Sequence, residues 1–397
     1  MGPRDPDEEH RAATPLELFF DLCFVVAVAQ TADRLHHGLA EGHPGEALLG
    51  YVVVFAAIYW PWVNFSWFAS GYDVDDVPYR LAVLVQIAGV LILAAGVPRA
   101  FDDRDFGIAT LGYVVMRSAL IAQWLRAARG DPACRRTALR YAAGVTACQV
   151  GWVLLLAGPE RWYLWGWVLL FPAELAVPVL AERAGVTPWH PGHIAERYGL
   201  FTIIVLGECV LAASIAVQSG LDAGGAIAGV AKVAAGGLLI VFAMWWAYFD
   251  GPRDLVMARA RAAFGAHPRA AFVWGYGHYV LFAAAAAAGA GIEVAVDHAT
   301  GHTEIPGWQA GAAVTIPVTI YLLGSWTLFA PHKRPGRMRT YAVPVTAIAI
   351  LASTGLGEPV LATGVACAVL LAAVVIADAC RPGATPGPAG DGRDARR

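Results

Sequence analysis

Charge is what this sequence has least of. Only 15% of its 397 residues are Asp, Glu, Lys or Arg, against about a quarter in soluble domains, too few to cover a folded surface in water. The six cysteines, Cys23, Cys134, Cys148, Cys209, Cys367 and Cys380, form no CxxC pair and fall mostly inside apolar segments. That excludes a disulfide framework or thiolate metal site and leaves them as small core residues. There is no GxxxxGKS or GxxxxGKT loop, so ATP-driven work would need a separate subunit. HExxH, GxSxG and His-box series are also missing, which argues against a lipid-active membrane enzyme and calls for no cofactor and no metal. No basic run exists to hold nucleic acid, and the net charge is only -3. The N-terminus, MGPRDPDEEHRAA, lacks the basic-then-apolar layout of a cleavable signal, so the first apolar helix is expected to be retained.

What is present is apolar length. Hydrophobic residues make up 58% of the chain, in runs of the roughly 20 residues that a bilayer-crossing helix needs. Twelve such runs are found, at 15–32, 47–69, 79–98, 106–127, 137–157, 162–181, 193–218, 226–249, 270–291, 309–330, 340–356 and 359–378. The predicted fold class is therefore an all-α polytopic integral membrane protein of about twelve transmembrane helices. Only Gly355–Glu358 separates the last two runs, so a single re-entrant hairpin is the alternative there. Residues 1–13 and 381–397, rich in Pro, Gly and charge, are expected to be disordered.

Arginine and lysine placement orients the chain. If the N-terminus is cytoplasmic, 21 of the 28 basic residues lie in cytoplasmic segments and four (Arg34, Arg99, Arg104, Arg161) lie outside. This asymmetry predicts both termini on the cytoplasmic side of a bacterial plasma membrane. A weak repeat also appears, since ELFFDLCFVVAVAQ (17–30) and ERYGLFTIIVLGEC (196–209) align without a gap. Two six-helix pseudo-repeats in parallel orientation follow, 14–182 and 193–380, joined by a cytoplasmic connector at 183–192. Repeats of this kind recur in transporters, with the site between them.

The stretch that organises the rest is Thr14 to Gln30, TPLELFFDLCFVVAVAQ. It carries two acids, Glu17 and Asp21, one helical turn apart and so on one face. Thr14-Pro15-Leu16-Glu17 reads as a capping box with proline at the first helical position, which assigns Glu17 a structural role. Asp21 lies a turn further in and either serves a function or pairs with Arg117 or Arg197. Within the predicted spans, Glu17, Asp21, Glu174, Glu196 and Glu208 stand against Arg117, Arg197 and Lys232. Intramembrane charge costs about 2.5–3.5 kcal/mol per residue on insertion scales, so an acid surplus suggests protonated carboxyls or a bound cation.

Each candidate has a plain structural reading beside the functional one. Glu208 follows Gly207 near mid-membrane and is the first choice for a coupling carboxylate, against a structural hydrogen bond. Arg117 either binds an anion or neutralises Asp21 or Glu208. Glu174 sits between Pro172 and Pro178, a bend used at binding sites and equally in plain packing. Glu196 is placed at the cytoplasmic interface, Lys232 is expected to snorkel outward, and His278 is a satisfied interior histidine or a proton-transfer group. Asp75 or Asp76 is expected to cap the third helix. The outer histidines His36, His37, His43, His298 and His302 offer zinc-type ligands in loops. The tryptophans, among them Trp60, Trp62 and Trp67, are assigned to an interfacial belt.

Several stretches together resemble the bacterial low temperature requirement A (LtrA) family. They are TPLELFFDLCFVVAVAQ (14–30), YDVDDVPYRLAVLVQIAGVLILAAGVPRAF (72–101), MRSALIAQWLRAA (116–128), HIAERYGLFTIIVLGE (193–208) and WWAYFD (245–250). Beyond residue 250 the resemblance is one of hydropathy. It implies a multi-pass bacterial membrane protein whose family name comes from a growth requirement in the cold, and it fixes class and location rather than chemistry. The function expected from all of this is a proton- or cation-coupled secondary transporter of a small solute, its partners being the lipid bilayer, that solute and the ion. The alternatives are a non-catalytic membrane component supporting cold growth and, less favoured, a lipid-active enzyme.

Overall fold

The computed structural model describes residues 1–5, 8, 11–222, 227–251, 256–259, 262, 269–329 and 337–379, and among these no strand occurs. Twelve long helices follow one another among the described residues: α1 (Pro15–Ala40), α2 (Pro44–Tyr72), α3 (Val77–Asp102), α4 (Gly107–Gly130), α5 (Arg135–Leu156), α6 (Tyr163–Glu182), α7 (Pro191–Asp222), α8 (Ile227–Phe249), α9 (Arg269–Thr300), α10 (Gly307–Phe329), α11 (Arg337–Ala352) and α12 (Pro359–Ala379). Eleven of them are long and apolar enough to cross a membrane. The exception is α11, whose 16 residues reach about 24 Å at 1.5 Å per residue, short of the ~30 Å hydrocarbon core. A 3-10 turn, Ser353–Gly355, follows it before α12 starts at Pro359.

The helix starts follow from local chemistry. Thr14 and Glu17 form the reciprocal capping box at α1, with Pro15 at its first position. Asp76 caps α3 by accepting from the Tyr79 backbone N–H at 2.9 Å. Asp75, at φ 49°, pairs instead with Arg80 at 2.6 Å. Two helices run further than hydropathy suggests, because α1 continues to Ala40 and α9 to Thr300. Arg34, His36, His37, Glu293 and Asp297 are thereby helical rather than in loops. Part of the N-terminal segment expected to be disordered is in place. Arg11 is buried, with its guanidinium donating to the Ser70 and Ala69 carbonyls at the end of α2. The C-terminal tail, 381–397, lies outside the described residues.

Small residues set the closest crossings, as they must where lipid provides no hydrophobic drive. A Cβ on Gly112 of α4 would come within 2.6 Å of the Gly89 carbonyl oxygen of α3. One on Gly364 of α12 would come within 2.6 Å of the Gly236 carbonyl of α8, and one on Gly291 of α9 would overlap the Ala313 carbonyl of α10. The neighbour pattern recurs along the chain. In the first six helices α1 packs on α2 and α3, then α3 on α4, α4 on α5 and α5 on α6; α7 to α12 repeat that series. The clearest difference is that the backbones of α8 and α12 lie against each other whereas those of α2 and α6 are held further apart. Aromatic side chains and cavities fill that wider gap.

Between the two sets of helices, α2 is stitched to α9 by tyrosine hydroxyls donating to backbone carbonyls. Tyr51 reaches Ala283 at 2.6 Å, Tyr279 reaches Val52 at 2.7 Å, and Tyr59 reaches Gly275. Trp62 stacks on Phe201 of α7 with ring centres 4.3 Å apart. The inner face of α2 therefore sits where α1, α7 and α9 meet.

Candidate functional site

The acids of α1 meet two bases of α7. Arg197 grips Asp21 with two donors, Nη2 to Oδ1 at 2.5 Å and Nε to Oδ2 at 3.0 Å. Its Nη1 lies 3.1 Å from Glu17 Oε1, near enough for charge attraction but out of hydrogen-bonding geometry. His193 Nε2 lies 3.1 Å from Glu17 Oε2. Trp62 of α2 completes the cluster, its indole N–H donating to Asp21 Oδ1 at 2.7 Å. All four charged or titratable side chains, and Trp62, are fully buried. Two carboxylates thus face one guanidinium and one imidazole.

Counted from the proline that starts each helix, Glu17 and His193 are both third and Asp21 and Arg197 both seventh. Third meets third and seventh meets seventh, so α1 and α7 run side by side in the same direction and in register. The contacts pair residues 176 apart, not the 179 that the sequence alignment of Glu17 with Glu196 implies. Glu196 is half-buried on α7 and makes none of these contacts. His193 is not among the residues that sequence reasoning selects, because it stands at the first position of the predicted span. Its spacing of four from Arg197, matching that of Glu17 and Asp21, is the signal for it.

Arg117 does not neutralise Asp21 or Glu208. Its partner is Glu174 of α6, with Nη2 to Oε2 at 3.0 Å. Glu174 also accepts from the indoles of Trp60 at 2.9 Å and Trp152 at 3.2 Å. Trp60 and Trp62 are therefore interior hydrogen-bond donors rather than members of an interfacial belt, because α2 is buried on both sides here, Trp60 facing α6 and Trp62 facing α1. The pairing of Asp21 and Glu174 with arginines also shrinks the acid surplus read from the sequence. Paired in this way, neither acid argues for ion movement by an excess of charge alone.

The remaining candidates are spread out. Glu208 is half-buried and makes no ion pair among the described residues. Across from it on α9 lie Glu293 and Asp297, both contacted by His36 of α1, at 3.4 and 2.7 Å. Asp33, His36 and His37 bring ligand-type atoms within 4.8 Å of one another; His302 instead bonds Thr300. His278 is buried, its Nδ1 on the Trp274 carbonyl at 2.7 Å and its Nε2 at 3.0 Å from the Tyr248 hydroxyl. Lys232 pairs with Glu358 at 2.6 Å on an exposed surface.

Below Glu17, Asp73 ends α2 with its Oδ1 accepting from the Asp75 N–H at 3.0 Å and its Oδ2 buried without a partner among the described residues. Burial, and then the charge of Glu17, push its carboxyl up to about 6 from the ordinary 3.8. A carboxyl whose folded value is raised stabilises the fold below about pH 4 and loses that contribution as pH rises through about 6. Asp73→Asn keeps the acceptor and removes the charge. Its melting temperature in detergent should exceed the parent's at pH 7.5, a gain equivalent to about 2–3 kcal/mol, and match it at about pH 3.5, below the ordinary carboxyl value. Equal curves at both values would show that Asp73 is not under this strain.

Eleven membrane-length helices with buried charge pairs between them define a polytopic α-helical membrane protein. The model of the bacterial low temperature requirement A protein (LtrA) family matches residues 12–376, and the chain belongs to that family. The match extends through the second set of helices, where the sequence showed only hydropathy. An uncharacterised protein of Rhizobium meliloti is 27% identical over 285 residues, which cover 69% of this chain and 67% of that protein. No solved structure matches the chain.

Proposed function

We propose that the protein is a proton-coupled secondary transporter of a small solute, built from two six-helix halves in parallel orientation with both termini cytoplasmic. The observation that carries this reading is the buried contact between Glu17 and His193 beside the Asp21–Arg197 pair. With His193 neutral, the four groups in contact hold one negative charge in excess, faced at longer range by the buried Arg11; one proton makes the four neutral. An ionised Glu17 can only accept, so Nε2 of His193 carries the ring proton, and Nδ1 has no partner among the described residues. That lone pair is a place for a second proton.

Uncompensated charge in a dry interior is costly, so taking or losing that proton changes how strongly α1 and α7 attract. These are the first helices of the two halves, and a proton-dependent attraction between halves is what alternating access requires. A histidine in the cluster favours a proton over a metal cation as the coupling ion. Support for the two halves comes from the recurring neighbour pattern and from the parallel, in-register α1 and α7.

The test is proton movement in proteoliposomes that enclose a pH-sensitive dye, scanned against a panel of small solutes. At least one solute should move protons in step with its own uptake. Silence across the panel would remove transport and leave a membrane component supporting growth in the cold.

A further inference from the structure

Where α2 and α6 stand apart, a cavity of about 60 Å³ reaches Glu174. Six of its eleven lining residues are aromatic: Trp60, Phe106, Tyr113, Trp152, Trp167 and Phe171. The residues at its mouth come from the ends of α3, α5 and the starts of α4 and α6, opposite to the Thr14 end of α1. Glu174 is the acid that lines this cavity, and three donors converge on it: Arg117 and the indoles of Trp60 and Trp152. A guanidinium and two indole N–H groups aimed at one point form the donor set that recognises a carboxylate. Here the carboxylate belongs to the chain itself.

Arg117 is 1% exposed, yet its Nε and Nη1 have no hydrogen-bond acceptor among the described residues. A buried cation with two idle donors is expensive unless a further acceptor joins it. Tyr113 lines the cavity, and its ring centre lies 5.5 Å from the guanidinium carbon of Arg117. On the other side of Trp60, Tyr276 packs edge-on at 5.5 Å and lines a second cavity of about 30 Å³, which reaches Pro178 and Glu182 two turns along α6. Glu174 and the Trp60–Tyr276 contact thus form the partition between two aromatic chambers. The prolines Pro172 and Pro178 bracket that partition on α6, where they remove backbone hydrogen bonds and ease bending.

We propose that Arg117, Trp60 and Trp152 are a binding site for a small monocarboxylate with an apolar or aromatic body, held closed by Glu174 until Glu174 takes up a proton. This assigns a substrate class to the transporter proposed above and rests on that reading. The charge balances: Arg117 with ionised Glu174 is neutral, and Arg117 with protonated Glu174 and one bound carboxylate is neutral again. One proton enters from water for each anion that binds and is given back when the anion leaves. The charged and titratable groups facing Glu174 are Arg117 and Tyr113 of α4 and Cys148 of α5; α2 contributes the Trp60 indole and α9 the Tyr276 hydroxyl, which bonds the Leu175 carbonyl at 3.0 Å.

The test uses the full chain purified in detergent, titrated with propionate and benzoate in weak buffer while tryptophan fluorescence and pH are followed. The parent should take up about one proton per anion bound. Glu174→Gln, which keeps the shape and one acceptor oxygen for an indole but removes the charge, should bind at least tenfold tighter at neutral pH with no proton uptake. Replacing both partners, as in Arg117→Met with Glu174→Met, removes the charges together; it should melt near the parent and bind neither acid. Failure of both acids to bind to the parent and to Glu174→Gln would overturn the proposal. So would undiminished binding to the double variant, or a preference of the parent for tetramethylammonium over either acid. Binding in detergent without flux in liposomes removes the transport reading and keeps the site. Flux of another solute without monocarboxylate binding does the reverse.

Discussion

Arg197→Gln should cost about 3–5 kcal/mol of stability, the range for removing one partner from a buried ion pair. The reason is what stays behind. Glu17 and Asp21 would face each other across one turn with no cation at ion-pair distance among the described residues, sealed from water by Trp62 and Phe65. The expected readout is loss of monodisperse protein on extraction, or a melting temperature many degrees lower. Adding Asp21→Asn should return more than half of the loss, because Glu17 retains His193 and its cap on Thr14. A double-mutant cycle with no such recovery would mean that Arg197 stabilises α7 by packing alone.

Gly291→Leu should be comparably severe for a different reason. Even the first carbon of a side chain at this position would overlap the Ala313 carbonyl, and the atoms it meets are backbone, which cannot rotate away. The axes of α9 and α10 would have to separate along the whole crossing, and overpacking that moves backbone exceeds the usual cost of about 1–3 kcal/mol. Gly355→Leu, where nothing lies within 4 Å, serves as the control and should express as the parent does. If Gly291→Leu expresses and melts like that control, the close crossing of α9 and α10 is wrong.

Much of the fold is legible along the chain itself, and the reasons are local. Apolar runs of bilayer length mark the spans, and TPLE spells out the capping box at α1 because its hydrogen bonds join residues three apart. Asp76 over α3 is legible in the same way. Which helix faces which is not. Arg117 visibly needs an acid, but nothing along the chain says that α6 supplies it. Trp60 and Trp62 look interfacial in a hydropathy window; only the contacts of α2 with α1, α6 and α7 turn them inward. Glu293 and Asp297 escape a hydropathy reading because the apolar run ends before the helix does. The α1–α7 pairing is half visible: Arg197 stands out as a partner for Asp21, while His193 and the register emerge only when the two helices are laid side by side.

The proposed coupling between the two halves rests on the buried Glu17–His193 contact. The most direct measurement compares solute exchange with net accumulation in proteoliposomes holding the parent or Glu17→Gln, under an imposed inward proton gradient. Glu17→Gln keeps its place at the helix cap but removes the carboxylate that faces His193. The parent should accumulate its solute against a gradient, and Glu17→Gln should still exchange solute for solute but accumulate none. Accumulation by Glu17→Gln at the parent's level would contradict coupling through this cluster.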